Sequence, residues 1–127
     1  MAAVEHNAYI IAADFGEAGV TAQARADKVT RHNAMLLETR IKAHASGRPG
    51  PRAPTGDYRR SWTTSHHGMA SSVHTNKPQA RRLEFGFYGP DRLGRVYNQQ
   101  PYPHVGPAVD ETVPGYERDL ADILTDL

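Results

Sequence analysis

Apolar residues recur at helical spacing near each end of the chain and alternate at strand spacing between. From Val20 to Ser46 there is no Gly or Pro, and Ala22, Ala26, Val29, Leu36, Leu37 and Ile41 fall three, four or seven apart. That pattern predicts one long helix over 20–46, interrupted on its apolar stripe by His32 and Asn33. A helix of about 25 residues runs nearly 40 Å at 1.5 Å per residue. Its first half is rich in alanine, so another element, of this chain or of a neighbour, can approach closely there. Gly47 stands where a helix-ending glycine is expected, and Pro49, Pro51 and Pro54 forbid continuation, so 47–56 reads as a Pro/Gly-rich loop.

Beyond that loop, Tyr58 to Thr64 and Met69 to Asn76 read as strands, with His66, His67 and Gly68 as their turn. Strand alternation sets Tyr58, Arg60 and Trp62 on one face. Leu83, Phe85 and Phe87 alternate in a third strand, Leu83 to Tyr88, stopped by Gly89 and Pro90, which completes a sheet region over 57–88. An extended excursion follows over 89–106, with a turn at Gly94 and with Pro101 and Pro103 keeping its end extended. Pro107 suits the first turn of a second helix over 107–127, interrupted at Pro114 and Gly115, with Leu120, Ile123, Leu124 and Leu127 on its last part. In the N-terminal segment, 1–19, Tyr9, Ile10, Ile11 and Phe15 can dock on a core as a short helix or a strand, a choice the period leaves open, before Gly16 and Gly19 punctuate the chain.

Composition narrows this picture. A chain of 127 residues is the size of one domain and can bury roughly two thirds of its unfolded surface. Hydrophobic content of 39% and a mean hydropathy of −0.63 imply a small core supplemented by partner contacts. Net charge of +1 gives no global attraction to nucleic acid or membrane, and the absence of cysteine excludes disulfides and thiolate chemistry. The apolar run Ala8 to Ala13 is too short to span a bilayer, so a soluble protein without signal peptide or membrane partner is expected. Charge is uneven locally. Arg40, Lys42, Arg48, Arg52, Arg59 and Arg60 face only Asp57 between positions 40 and 60, whereas the segment from Asp110 onward holds Asp110, Glu111, Glu117, Asp119, Asp122 and Asp126 against Arg118.

Candidate chemistry is sparse. No nucleophile elbow, phosphate-binding loop, HExxH or dinucleotide fingerprint occurs. His66, His67 and His74 straddle a turn without cysteine or a well-placed carboxylate, so no metal site, cofactor or catalytic residue is expected and the chain does not read as an enzyme. Glu84 and Asp91 have nothing to bring them together as an acid/base pair, and Glu84 reads as an ionic partner of an arginine, Arg81 and Arg82 being adjacent. What stands out is Gln79 to Glu111, where Phe85, Phe87, Tyr88, Tyr97 and Tyr102 alternate with glycines and prolines. Such a stretch reads as a contact surface, with Phe85 the member expected in the core.

The order of these pieces carries a resemblance. A long helix, a Pro-rich loop, Thr55-Gly56 with Ser61-Trp62 five and six residues on from Gly56, Leu83-Glu84-Phe85-Gly86, and Pro103 to Glu111 with Pro107-Ala108 resemble the small tail-completion, or head-to-tail joining, proteins of long-tailed double-stranded DNA phages. The likeness covers nearly the whole chain, and the long segment after Gly89 resembles forms from phages of actinobacteria. Phe87 stands where a small polar residue is usual, and Val105 and Gly106 where many members have an aromatic and an arginine. The resemblance implies an α+β subunit, a long N-terminal helix packed on a small antiparallel sheet of three to four strands with a C-terminal helix, and no catalytic activity. It implies a homo-oligomeric ring in the virion neck, six-fold rather than twelve-fold, assembled in the host cytoplasm. Its partners would be a head-side connector or stopper, a tail terminator or tail tube protein, and genomic DNA held non-specifically in the channel. On that reading Phe87, Tyr88, Arg92, Arg95, Tyr97 and Tyr102 are subunit or ring contacts, and Arg48, Arg52, Arg59 and Arg60 face the DNA or an acidic partner. Alternatives are a tail terminator ring, a free non-specific DNA-binding module and, least in keeping with the residues, a hydrolase centred on His66, His67 or His74.

Overall fold

The structure, a computed structural model, describes residues 2–5, 8–12 and 20–126, with side chains from 21 to 126. Its class is α+β. In chain order the elements are β1 (Ala2–Glu5), β2 (Ala8–Ala12), α1 (Val20–His44), α2 (Asp57–Arg60), β3 (Thr63–His67), β4 (Ala70–His74), α3 (Ala80–Phe85), β5 (Phe87–Pro90), β6 (Val96–Gln99) and α4 (Val105–Thr125). A four-stranded antiparallel sheet runs in the order β1-β2-β4-β3, and β5 and β6 form a separate two-stranded hairpin. The register pairs Tyr9 and Thr64 with Val73 from either side. Strand thus settles the choice left open for 8–12, while Phe15, Gly16 and Gly19 lie outside the described residues.

α1 packs on β4 and along α4. Its buried positions, Ala22, Ala26, Thr30, Asn33, Ala34, Leu37 and Ile41, keep a helical period. Asn33 therefore belongs to the stripe it was expected to interrupt, because its amide donates to the Val29 carbonyl and to Asp119 Oδ2 of α4 (2.9 and 3.1 Å). α4 runs antiparallel to α1. Arg25 meets Asp126, the Thr30 and Tyr116 hydroxyls hydrogen-bond at 2.8 Å, and Arg40 donates to Thr112 Oγ1. The main core gathers Leu37, Ile41, Trp62, Val73, Val105, Ala108 and Tyr116, and the alanine end of α1 packs on Ile123.

The second helix departs from expectation at both points. It begins at Val105 rather than Pro107, and it continues through Pro114 and Gly115. Pro114 is exposed, so the carbonyl deprived of its amide partner faces water, while Thr112 and Tyr116 on either side are buried against α1.

Two expected strands are also corrected. The chain after Gly56 forms α2, not a strand from Tyr58. Thr55 Oγ1 accepts the Asp57 N–H, Gly56 takes the left-handed conformation (φ +79°), and the Ser61 hydroxyl donates to the Tyr58 carbonyl. These local bonds outweigh the β preference of Tyr58 and Trp62, so Tyr58, Arg60 and Trp62 do not share a strand face. β3 starts only at Thr63 and runs through His66 and His67, leaving the turn to Gly68 and Met69. Likewise Ala80–Phe85 is α3, and strand begins at Phe87. Helical spacing buries Ala80 and Glu84 together and turns Phe85 out, 60% exposed, so Phe85 is not a core residue.

Gly86 ends α3 at φ +77°, where a Cβ would stand 2.8 Å from the Gln99 carbonyl oxygen and 3.0 Å from Pro101 N. Only glycine satisfies both the backbone conformation and that approach. The two ends of the β5–β6 hairpin are therefore side by side.

Candidate functional site

The N-terminus of α4 is held by a carboxylate from α3. Glu84 Oε1 accepts the N–H groups of His104 and Val105 (2.9 and 2.8 Å), and Oε2 accepts that of Gly106 (2.9 Å). An anion at this end also meets the favourable end of the helix dipole. The expected partnership of Glu84 with an arginine is replaced by these three amides and by His104 Nδ1 at 3.2 Å. Gly106 belongs to the arrangement, since a Cβ there would press on Glu84 Oε2 at 3.2 Å.

His104 is fully buried. Its Nδ1–H donates to the Tyr102 carbonyl (2.9 Å), which leaves Nε2 to accept the Tyr58 hydroxyl (2.6 Å). Burial pushes the imidazole below its ordinary range and the Tyr58 phenol well above its own, so both stay neutral near pH 7. Tyr58, Trp62 and His104 pack edge to face. The line Glu84, His104, Tyr58 has the order of an acid, base and nucleophile, but every carboxylate oxygen is occupied and a phenol with a raised pKa is a poor nucleophile. What it does is tie α2, α3 and α4 together beneath a surface cleft.

That cleft, about 510 Å³, is lined by Arg48, Arg52, Tyr58, Gln79, Leu83, Gln99 and Tyr102, among others. A second, about 580 Å³, is lined by Gln79, Arg82, Asp91, Arg92, Leu93, Arg95, Tyr97 and Gln99. Gln79 and Gln99 line both, so the two clefts adjoin, and together they are called the groove, from the Pro/Gly loop to the hairpin. Arg48 lies 3.7 Å over the Tyr102 ring and Arg82 3.9 Å over Phe87, which fixes two guanidinium planes at the surface.

The structure therefore brings together residues that the sequence assigned to separate roles. Arg48 and Arg52 share the groove with Arg92, Arg95, Tyr97 and Tyr102. Arg59 bonds the Ser46 hydroxyl and Arg60 pairs with Asp57, neither lining the groove. Phe87 is half-buried, whereas Tyr88 and Tyr97 are exposed. Sequence reasoning missed Gln79, Gln99 and Arg82. Their one available signal was the run of cations, Arg48, Arg52, Arg59, Arg60, Lys77, Arg81, Arg82, Arg92 and Arg95, set against only Asp57, Glu84 and Asp91 over 46–103.

The hairpin holds its own shape. Asp91 Oδ1 accepts the Leu93 and Arg95 amides (both 2.8 Å), and Oδ2 accepts Arg95 Nε (2.6 Å). Burial alone would raise this carboxyl's pKa, but these hydrogen bonds outweigh it and hold the pKa below its usual value. Among the described residues these strands pair only with each other, and Tyr88, Leu93, Val96 and Tyr97 are exposed, with Phe85 beside their root.

Among the described residues no three His, Asp or Glu side chains converge to hold a metal. His66 bonds Ser71 on one face of β3, while His67 alternates to the other and His74 pairs opposite Thr63 at the far end of the ladder. No described helix is long and apolar enough to cross a membrane. Comparison with protein-family models, curated proteins and solved structures finds no match to this chain.

Proposed function

We propose that this chain is a structural subunit of a phage neck, forming a homo-oligomeric ring, hexameric in preference to dodecameric. In that role it completes the tail and joins it to the head-side connector around the DNA channel. The observation that carries the reading is the self-paired hairpin Phe87–Gln99, exposing Tyr88, Leu93, Val96 and Tyr97. Exposed apolar groups gathered on one short element, here on both its faces, mark an interaction site, and tyrosine and arginine are enriched in such sites. The α+β class, with one long helix in the first half of the chain and another at its end, agrees with the resemblance drawn from the sequence, whereas the Thr55–Trp62 and Leu83–Gly86 segments hold short helices where strands were expected. The tail terminator ring is the nearest alternative within that reading.

The experiment exploits the adjacent hairpin ends. Replacing residues 88–98 with a short Gly-Ser turn should leave a folded subunit that cannot join heads to tails. Infectious particles carrying that deletion would refute the proposal. A second reading, a non-specific DNA-binding module, is favoured by the arginine groove. It requires the free subunit to bind duplex DNA with a steep loss of affinity as salt rises, and to do so without assembling.

A further inference from the structure

We infer that the arginine-lined groove and hairpin of one copy receive the outer face of α4 of a second copy, head to tail. This rests on the reading of the hairpin as an assembly contact and names what sits on it.

Charge is the first ground. Folding separates the cationic middle of the chain from its acidic end, because no residue lining either part of the groove belongs to α4. Along α4 some carboxylates are taken internally: Glu111 by His44, Asp119 by Asn33 and Asp126 by Arg25. Asp110, Glu117 and Asp122 are exposed and have no ion pair among the described residues. On the groove side Arg52 and Arg92 are likewise exposed without a carboxylate partner among those residues. Complementary patches of this kind steer and orient association.

Shape is the second ground. Asp110 and Glu117 are two helical turns apart on one face, which Pro114, Ala121 and Leu124 continue, all exposed. Arg118 points about 100° round the helix from Glu117, off that face. The face is a narrow ridge with short side chains, two carboxylates and an apolar end, Leu124 being 57% exposed. Leu93 and Tyr97, both exposed and lining the hairpin end of the groove, supply apolar anchors for such a ridge, and Arg52 and Arg92 supply donors for its carboxylates. The two surfaces are different parts of the chain, so the contact is heterologous, the kind that builds a ring where the rotation between successive copies closes.

The test uses the full chain and two charge reversals, Arg52→Glu with Arg92→Glu and Asp110→Arg with Glu117→Arg. All four positions are exposed, and circular dichroism establishes that each variant is folded. Native mass at low salt reads assembly. Wild type is expected to assemble, each variant alone to need at least tenfold more protein for half-assembly, and an equimolar mixture of the two to assemble again by alternation. Wild type that stays monomeric overturns the ring reading and this inference together. A wild-type ring indifferent to both reversals, or a mixture that stays apart, overturns this inference alone. Retention on duplex DNA is read in parallel. If the groove reversal abolishes retention and leaves the ring intact, the groove serves the nucleic acid and the inference falls.

Discussion

Glu84 satisfies three amides at the start of α4 that would otherwise lack partners, and it does so from another element. Glu84→Gln keeps the size but offers one acceptor oxygen and aims an amino group at a donor. The variant should lose about 2 kcal/mol, read by urea denaturation, since hydrogen bonds to charged groups contribute about 1.5–3 kcal/mol. His104 adds a pH dependence whose sign follows from its lowered pKa. Above the ordinary histidine value of 6.5, folded and unfolded chains both carry neutral imidazole and the contribution is complete. As pH falls below it, the unfolded chain takes up the proton first and stability declines, by at most about 1.4 kcal/mol per pH unit. Thermal melts from about pH 7 to pH 5 should show this decline, and His104→Gln should flatten it.

Among the elements, the long helices were the most legible in sequence. Composition and period placed α1, and Gly47 with the prolines after it marked its end, because these signals are local. The short helices α2 and α3 were misread as strands. Four and six residues hold too little period to separate the two, and what decides them is hydrogen bonding by Thr55, Ser61 and Gly86, which hydropathy does not register. The site was legible in pieces. Arg48, Arg52, Arg92 and Arg95 were named, but what puts their two clefts side by side is the return of the chain at Gln99 onto α3, where the Gln99 amide donates to the Arg82 carbonyl, a distant contact no spacing rule encodes. Gly86→Ala should therefore act on an element rather than a point, with a cost of about 2 kcal/mol from strained backbone and crowding. Hydrogen exchange of the hairpin amides should rise more than that of α1. Between the long helices, Tyr116→Phe leaves the buried Thr30 hydroxyl without its partner and should destabilise by about 1–2 kcal/mol in chemical denaturation.

For the whole molecule, the core and the proposed contact surfaces are largely separate. Leu37, Ile41, Trp62, Val73 and Tyr116 carry the interior, while the hairpin's exposed side chains pack against none of them. Trimming the hairpin should accordingly leave the cooperative unfolding transition within about 1 kcal/mol of the parent while removing assembly. Trp62 makes that distinction visible. It is the single tryptophan, 1% exposed, with the rings of Tyr58 and His104 centred 6.3 and 6.0 Å away, and neither the groove nor the hairpin contains an indole. Its fluorescence is thus a native reporter of the interior. A charge-reversed chain that keeps the parent emission maximum but sediments as a monomer has lost its neighbour and not its fold.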